Sequence, residues 1–476
     1  MILINDKRLE KFTVIVLTLS VVGRIYGQKE KLYIGALIPK LYSFDEKCHH
    51  TAIKLATNFI NNDSNILNDY TLEIIANQTA GGLVSGFSFI SFFDMIKRNI
   101  TYQVFLGPDT TTETRGIGFL TAKYKLPQIS YSGLAQVFDV SEGNDDFEYF
   151  VKIVPSPISY QMTNLKLLQH FGWNRVAIAY EVGHVDYFRE ARSLSNYFKA
   201  NQIEVVAMYG VSRDVLDPIE ELQAMEDADV KIVFGVFARF SARNFFCEMY
   251  KQKVHRKYQL ILTRQLPDSW IDNVKSPDSN NCTSEEYLTS ADGFFTFSRS
   301  SIRRDNKLTV ANRTASEIWE MIKEEKRILW KQPHSEPTDP PTPPPHHFNI
   351  ASLFAFDAIY MFATALDRIV REHGREGLLD GTRDSVKAKR LEEEMLKSNF
   401  QGATGHVAFN RNLDDERLGG VVIQQYRKTL IVKENNKTSY IARRVNIGQY
   451  EIAVNRLTFL QNETELFKGK VISYIL

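Results

Sequence analysis

The chain has 476 residues, long enough for two or three domains of ordinary size. Lys and Arg (58) nearly cancel Asp and Glu (57), which excludes the basic excess of a nucleic-acid binder and the polybasic patch of a membrane-surface protein. At 43% hydrophobic and 24% charged residues, the composition is that of a folded globular chain rather than a disordered one.

At the amino terminus Lys7, Arg8 and Lys11 precede a short apolar run, Phe12–Gly23, with the small residue Gly27 beyond it. This is the layout of a secretory signal peptide, read here as residues 1–27. The run is short for a membrane span, which takes about 20 apolar residues. An uncleaved signal anchor is the alternative reading.

Strand and helix patterns then alternate. Leu32–Ile38 reads as a buried strand, Thr51–Ile60 as a helix, Leu72–Ala76 as a strand and Gly86–Ile96 as a helix. Tyr102–Leu106 is a strand, Thr112–Tyr124 a helix and Gln128–Tyr131 a short strand. A second series runs from Pro155. Its helices are Thr163–Phe171, Tyr187–Ala200, Ile219–Met225 and Ala242–Lys251, and its strands are Arg175–Tyr180, Glu204–Met208, Val230–Phe234 and Tyr258–Leu262. Such alternation implies βαβ units and a parallel sheet in each series. Two units joined by crossing segments describe a clamshell. Ala351–Leu366 is apolar but interrupted by Asp357, and reads as a core helix rather than a membrane span. The proline-rich stretch at 332–347 cannot be helix or central strand and is expected to be a surface insertion.

Seven Asn-X-Ser/Thr sequons begin at Asn62, Asn77, Asn99, Asn281, Asn312, Asn436 and Asn462, and with the leader they favour a glycosylated exterior. Three cysteines exclude Cys-rich metal clusters and CxxC redox motifs. In an oxidising compartment Cys247 and Cys282 are the natural pair, contributing on the order of 3 kcal/mol. Cys48 is left as a buried thiol or as one end of an intermolecular bridge.

No phosphate-binding loop, HExxH zinc motif or GxSxG nucleophile elbow occurs. Gly116-Ile117-Gly118 lies inside a predicted helix and lacks the third glycine of a dinucleotide fingerprint. The adjacent acids Asp145 and Asp146 read as a turn, and His346 and His347 lack a ligand set. No enzyme activity, cofactor or metal is expected.

The best ligand loop is Gly107-Pro108-Asp109-Thr110-Thr111-Thr112, which leaves a strand and opens a helix. Backbone N–H groups and hydroxyls at a helix start suit a carboxylate. The alternative is that Asp109 or Thr110 simply caps the helix, and the two roles can coexist. Ser130-Tyr131-Ser132-Gly133 follows the next strand, on the side where ligands sit in such sheets.

Several segments together resemble one family. They are Leu32–Pro39 (LYIGALIP), Asn65–Glu73 (NILNDYTLE), Phe171–Val176 (FGWNRV), Asp229–Gly235 (DVKIVFG), Ala242–Lys251 (ARNFFCEMYK), Phe400–Phe409 (FQGATGHVAF) and Ile447–Tyr450 (IGQY). They are similar to the ectodomain of metabotropic (type B) gamma-aminobutyric acid receptors, over nearly the whole mature chain. Cys247 and Cys282 lie at about the spacing of that family's disulfide.

The resemblance implies an α/β, two-lobed clamshell of the periplasmic-binding-protein type I fold, each lobe a parallel sheet flanked by helices. Lobe 1 would be 28–154 and 291–398, lobe 2 would be 155–290 and 399–455, and 456–476 would be a juxtamembrane stalk. It implies a small amino-acid-like ligand and a homo- or heterodimer with a related subunit, on the extracellular side of the plasma membrane. The membrane would be reached only through segments absent from this chain, and the chain would be secreted if it truly ends at Leu476. By this likeness the ligand-binding positions are Phe44, Thr111, Thr112, Ser130, Ser132 and Gly133. Four others depart: the family's second-lobe tyrosine, second-lobe tryptophan, histidine and ammonium-binding glutamate fall at or near Ala238, Gln265, Val154 and Ala351. A buried ammonium without a partner costs several kcal/mol. The expectation is a divergent subunit that recognises another ligand or serves as a non-binding partner. Two rival readings are a receptor guanylyl cyclase or natriuretic-peptide-type ectodomain, and a soluble secreted decoy.

Overall fold

The computed structural model describes residues 29–467 apart from 40–45, 80–85, 133–146, 156, 184, 213–218, 264–265, 267–269, 271–280, 301, 304, 331–349, 351, 411–415, 418, 433–437, 453–454 and 463–465. The expected leader and the proline-rich insertion lie outside these residues.

The chain opens with β1 (Glu30–Pro39), α1 (Glu46–Asn61), β2 (Tyr70–Thr79), α2 (Gly86–Ile96), β3 (Tyr102–Leu106), α3 (Thr111–Tyr124), β4 (Gln128–Ser130) and β5 (Phe150–Lys152). The five strands form one sheet in the order β2-β1-β3-β4-β5, every pair parallel. Strands buried on both faces read as continuous apolar runs, which is why LYIGALI and YQVFL are legible in the sequence. Leu37, Tyr102 and Phe105 pack with Phe92 and Met95 of α2 and Ile117 of α3.

The chain continues through α4 (Pro157–Phe171), β6 (Arg175–Val182), α5 (Val185–Ala200), β7 (Glu204–Ser212), α6 (Ile219–Asp227), β8 (Ile232–Val236), α7 (Arg239–Lys251), β9 (Gln259–Leu262), α8 (Ser284–Ala291) and β10 (Phe295–Arg299). Three helices follow: α9 (Ala315–Trp330), α10 (Ser352–His373) and α11 (Ser385–Leu396). Last come β11 (Asn399–Gly402), β12 (Gly405–Asn410), β13 (Glu416–Arg417), β14 (Val421–Val432), β15 (Thr438–Glu451) and β16 (Arg456–Phe459).

Two compact units result. One takes the described residues of Met1–Gly133, Val140–Ile153 and Leu308–Ser398, and the other those of Leu134–Asp139, Val154–Lys307 and Asn399–Leu476. In the first, α1 packs on α9 and α10, and Phe59 meets Phe356 edge-on. The core helix expected at Ala351–Leu366 is α10, buried along most of its length with Asp357 included. Cys48 is a buried thiol, its sulfur 3.3 Å from Lys326 Nζ.

The second unit holds an eight-stranded sheet in the order β16-β15-β14-β10-β9-β8-β6-β7. Strands β6 to β10 pair in parallel, and β14, β15 and β16 extend the sheet antiparallel. A smaller antiparallel sheet joins β11, β12 and β13. The Cys247–Cys282 disulfide ties α7 to the start of α8 beside Trp270, which packs on Phe246, Tyr287 and Tyr426.

Two boundaries differ from the sequence reading. The middle crossing is at Lys307/Leu308 rather than 290/291, because β10 is held in the second sheet by β9 on one side and β14 on the other. The segment expected to be a stalk from 456 begins as strand β16, and Leu466 and Phe467 are buried. The cause is an aromatic seat. Phe171 and Trp173 stack at 4.7 Å, and Phe459 and Phe467 close on Phe171 at 5.6 and 5.2 Å.

Candidate functional site

In a parallel sheet of order 2-1-3-4-5 the strand order reverses between β1 and β3, and ligands bind beyond the carboxyl ends of the strands there. The loop Gly107–Thr110 leaves β3 at this point. Gly107 has φ +83°, and a Cβ on it would lie 2.6 Å from the Leu37 carbonyl oxygen and 3.1 Å from the Tyr131 ring. Only glycine lets the loop pass this close to β1.

The loop is fixed from both ends. Gly107 N–H donates to Ile129 O at 2.9 Å, and its carbonyl accepts from Gln128 Nε2 at 2.8 Å. Gln128 Oε1 accepts in turn from Thr121 Oγ1 at 2.9 Å, and Thr114 Oγ1 donates to Pro108 O at 2.9 Å. Thr110 is the N-cap of α3, its hydroxyl accepting from Glu113 N. The buried Glu113 carboxylate accepts hydroxyl bonds from Thr110 at 2.9 Å and Ser88 at 2.6 Å. Of the two caps the sequence allows, Thr110 is therefore the one used. The cap and the helix take the N–H groups of Glu113 and Thr114, and those of Thr111 and Thr112 have no intrachain partner among the described residues. Two such donors at a positive helix end suit a carboxylate.

Among the expected ligand residues, Thr111 and Thr112 are the first two positions of α3, and Thr112 is exposed. Ser130 is wholly buried in β4, its carbonyl accepting from Ile153 N, and Ser132 just beyond is half-buried. Phe44 and Gly133 lie outside the described residues. One member was not legible: His49, in the first turns of α1, is 1% exposed, with Nε2 3.5 Å from Asp109 Oδ1 and its ring 5.0 Å from that of Tyr131. Nothing in the sequence marks it beyond the pair His49-His50.

The second unit carries acids close to its strand ends that nothing in the sequence marks. Glu181, at the end of β6, accepts the backbone N–H of Ala238 at 2.9 Å. Ala238 is the N-cap of α7 and has no capping side chain, so the carboxylate does the capping from a neighbouring strand. Thr263, just after β9, donates its hydroxyl to Glu190 Oε1 at 2.7 Å.

A family model described as receptor family ligand binding region matches residues 49–423. The chain belongs to that family. It is 25% identical over 406 residues to gamma-aminobutyric acid type B receptor subunit 1 of Mus musculus, covering 84% of this chain and 39% of the relative. It is 25% identical over 380 residues to gamma-aminobutyric acid type B receptor subunit 2 of Caenorhabditis elegans, covering 79% and 40%. A receptor-type guanylate cyclase of Caenorhabditis elegans is 27% identical over 168 residues, 33% of this chain and 14% of the relative. The chain thus spans about two fifths of the type B receptor subunits it matches. Parallel sheets flanked by helices in both units are the architecture the resemblance implies, with the antiparallel extension as an addition. Among the described residues no helix is long and apolar enough to cross a membrane.

Proposed function

We propose that this chain is the extracellular ligand-binding region of a receptor of the type B gamma-aminobutyric acid class. The family match across 49–423, with its similarity to both kinds of subunit, is the observation that carries this reading. The ligand is a small amino-acid-like molecule held by its carboxylate at the start of α3. Thr111 and Thr112 supply N–H groups and Thr112 a hydroxyl, with Ser130 and Ser132 at the neighbouring strand end, and Gly133, outside the described residues, is the further position the resemblance assigns. Phe44 supplies an aromatic wall. The region acts as a receptor module and not as an enzyme, on the extracellular side of the plasma membrane, in a dimer with a related subunit.

Gamma-aminobutyric acid itself fits this chain poorly, since alanine at 351 offers its ammonium no acid. The cyclase similarity covers a third of the chain, so the cyclase reading has the weaker support. Calorimetry of the purified chain against a panel of amino acids is the test. Saturable heat from an amino acid other than gamma-aminobutyric acid is the expected result. Binding of gamma-aminobutyric acid would overturn the argument from position 351, and binding of no amino acid would remove the ligand-holding reading.

A further inference from the structure

The first unit has a cavity of about 420 Å³ at the other end of its sheet from the strand ends described above. Tyr102 opens β3, Ile96 closes α2 and Tyr124 closes α3, so the cavity lies at the amino-terminal ends of the strands. The turn Leu379–Asp384, between α10 and α11, completes the wall. The volume falls within the roughly 300–1,000 Å³ of small-molecule pockets.

The charges that line it are unequal in availability. Asp380 accepts from Lys387 Nζ at 2.8 Å and from the N–H and hydroxyl of Thr382. Asp384 is the N-cap of α11, accepting from Val386 N at 2.8 Å and Lys387 N at 3.2 Å. Both acids are therefore committed within the protein. Lys125 and Arg383 have no carboxylate partner among the described residues, and the Arg383 guanidinium sits 4.1 Å above the Tyr124 ring. Ile100, Leu126 and Leu379 give the cavity apolar walls. Tyr102 is 2% exposed, and its hydroxyl has no hydrogen-bond partner among the described residues.

We propose that this cavity binds a small organic anion, a carboxylate carried on an apolar or aromatic body. The carboxylate meets Arg383 and Lys125, and the body lies against Ile100, Leu126 and the Tyr124 face. A cationic guest would face two uncompensated positive charges, and a neutral apolar guest would strip water from them without return. The site is independent of the amino-acid site at the opposite strand ends.

The probe is 3-phenylpropionate, with 3-phenylpropanamide as its uncharged twin, titrated into the purified full chain by calorimetry and ligand-observed NMR. The Asn99→Gln background removes a sequon at the cavity lip. The acid is expected to saturate and to bind about tenfold tighter than the amide, with that preference lost in Arg383→Gln and reduced in Lys125→Gln. Arg383 is exposed, so its replacement leaves the fold intact. No saturable binding of the acid, equal binding of acid and amide, or an Arg383→Gln variant that binds the acid as before would each overturn the proposal.

Discussion

The Glu181 carboxylate takes the backbone N–H of Ala238 at 2.9 Å, so one strand end of the second unit caps a helix that starts from another. Alanine cannot cap its own helix, and a buried acid two strands of sequence away does so instead. Removing that acceptor leaves a half-buried donor at a positive helix end. Glu181→Ala is expected to cost about 1–3 kcal/mol in urea denaturation, and Glu181→Gln, which keeps an oxygen acceptor, clearly less.

The cap of α3 has the same logic with a local residue. Thr110→Ala removes the hydroxyl that serves both Glu113 N and the Glu113 carboxylate. Thermal unfolding is expected to register a loss of about 1 kcal/mol, largely restored in Thr110→Ser.

The disulfide spans 35 residues of sequence. Replacing Cys247 and Cys282 together with alanine is expected to lower stability by about 3–4 kcal/mol, through the freedom returned to the unfolded chain. Cys48→Ala, by contrast, is expected to leave the intramolecular disulfide count unchanged when measured by mass spectrometry under non-reducing conditions.

Burial, and secondarily the nearby Lys54, holds the His50 imidazole below its ordinary pKa of 6.5. The unfolded chain gains a proton as pH falls through about 6.5, while the folded chain stays neutral at this site until lower pH. Stability contributed by His50 is therefore present above 6.5 and lost as pH falls below it. Denaturation midpoints measured from pH 7.5 down to 5 are expected to decline less steeply in His50→Gln.

The sequons differ in their surroundings. Asn62, Asn99, Asn281, Asn312 and Asn462 are exposed, and Asn436 lies outside the described residues. Asn77 sits in β2 with its Nδ2 donating to Ser91 O at 3.1 Å. Glycopeptide mapping is expected to find Asn77 unmodified and sugar at exposed sites.

The parallel core was legible because each strand, buried on both faces, shows as a short apolar run between amphipathic helices. The hairpin of β14 and β15 was not. VVIQQYRKTLIV and TSYIARRVNIGQYE mix polar and apolar residues along long strands, and β10, which joins β14 to the sheet, is distant in sequence. FGWNRV is legible as a segment of the resemblance, but its aromatic seat for Phe459 and Phe467 depends on pairings no local pattern encodes. At the candidate site, the glycine turn and the threonines announced themselves by spacing. His49 and Glu181 did not, because a single titratable residue acquires meaning only from neighbours brought by the fold.

The claim that a ligand carboxylate is held at the start of α3 is tested most directly by pairing each amino acid that binds with its decarboxylated amine. Calorimetry would be run on the wild-type chain and on Thr112→Ala with Ser132→Ala. The expected result is saturable binding of the acid at about 1 mM or tighter, none of the amine, and loss of binding in the double variant. An amine that binds as well as its parent acid, or a double variant that binds undiminished, would contradict it.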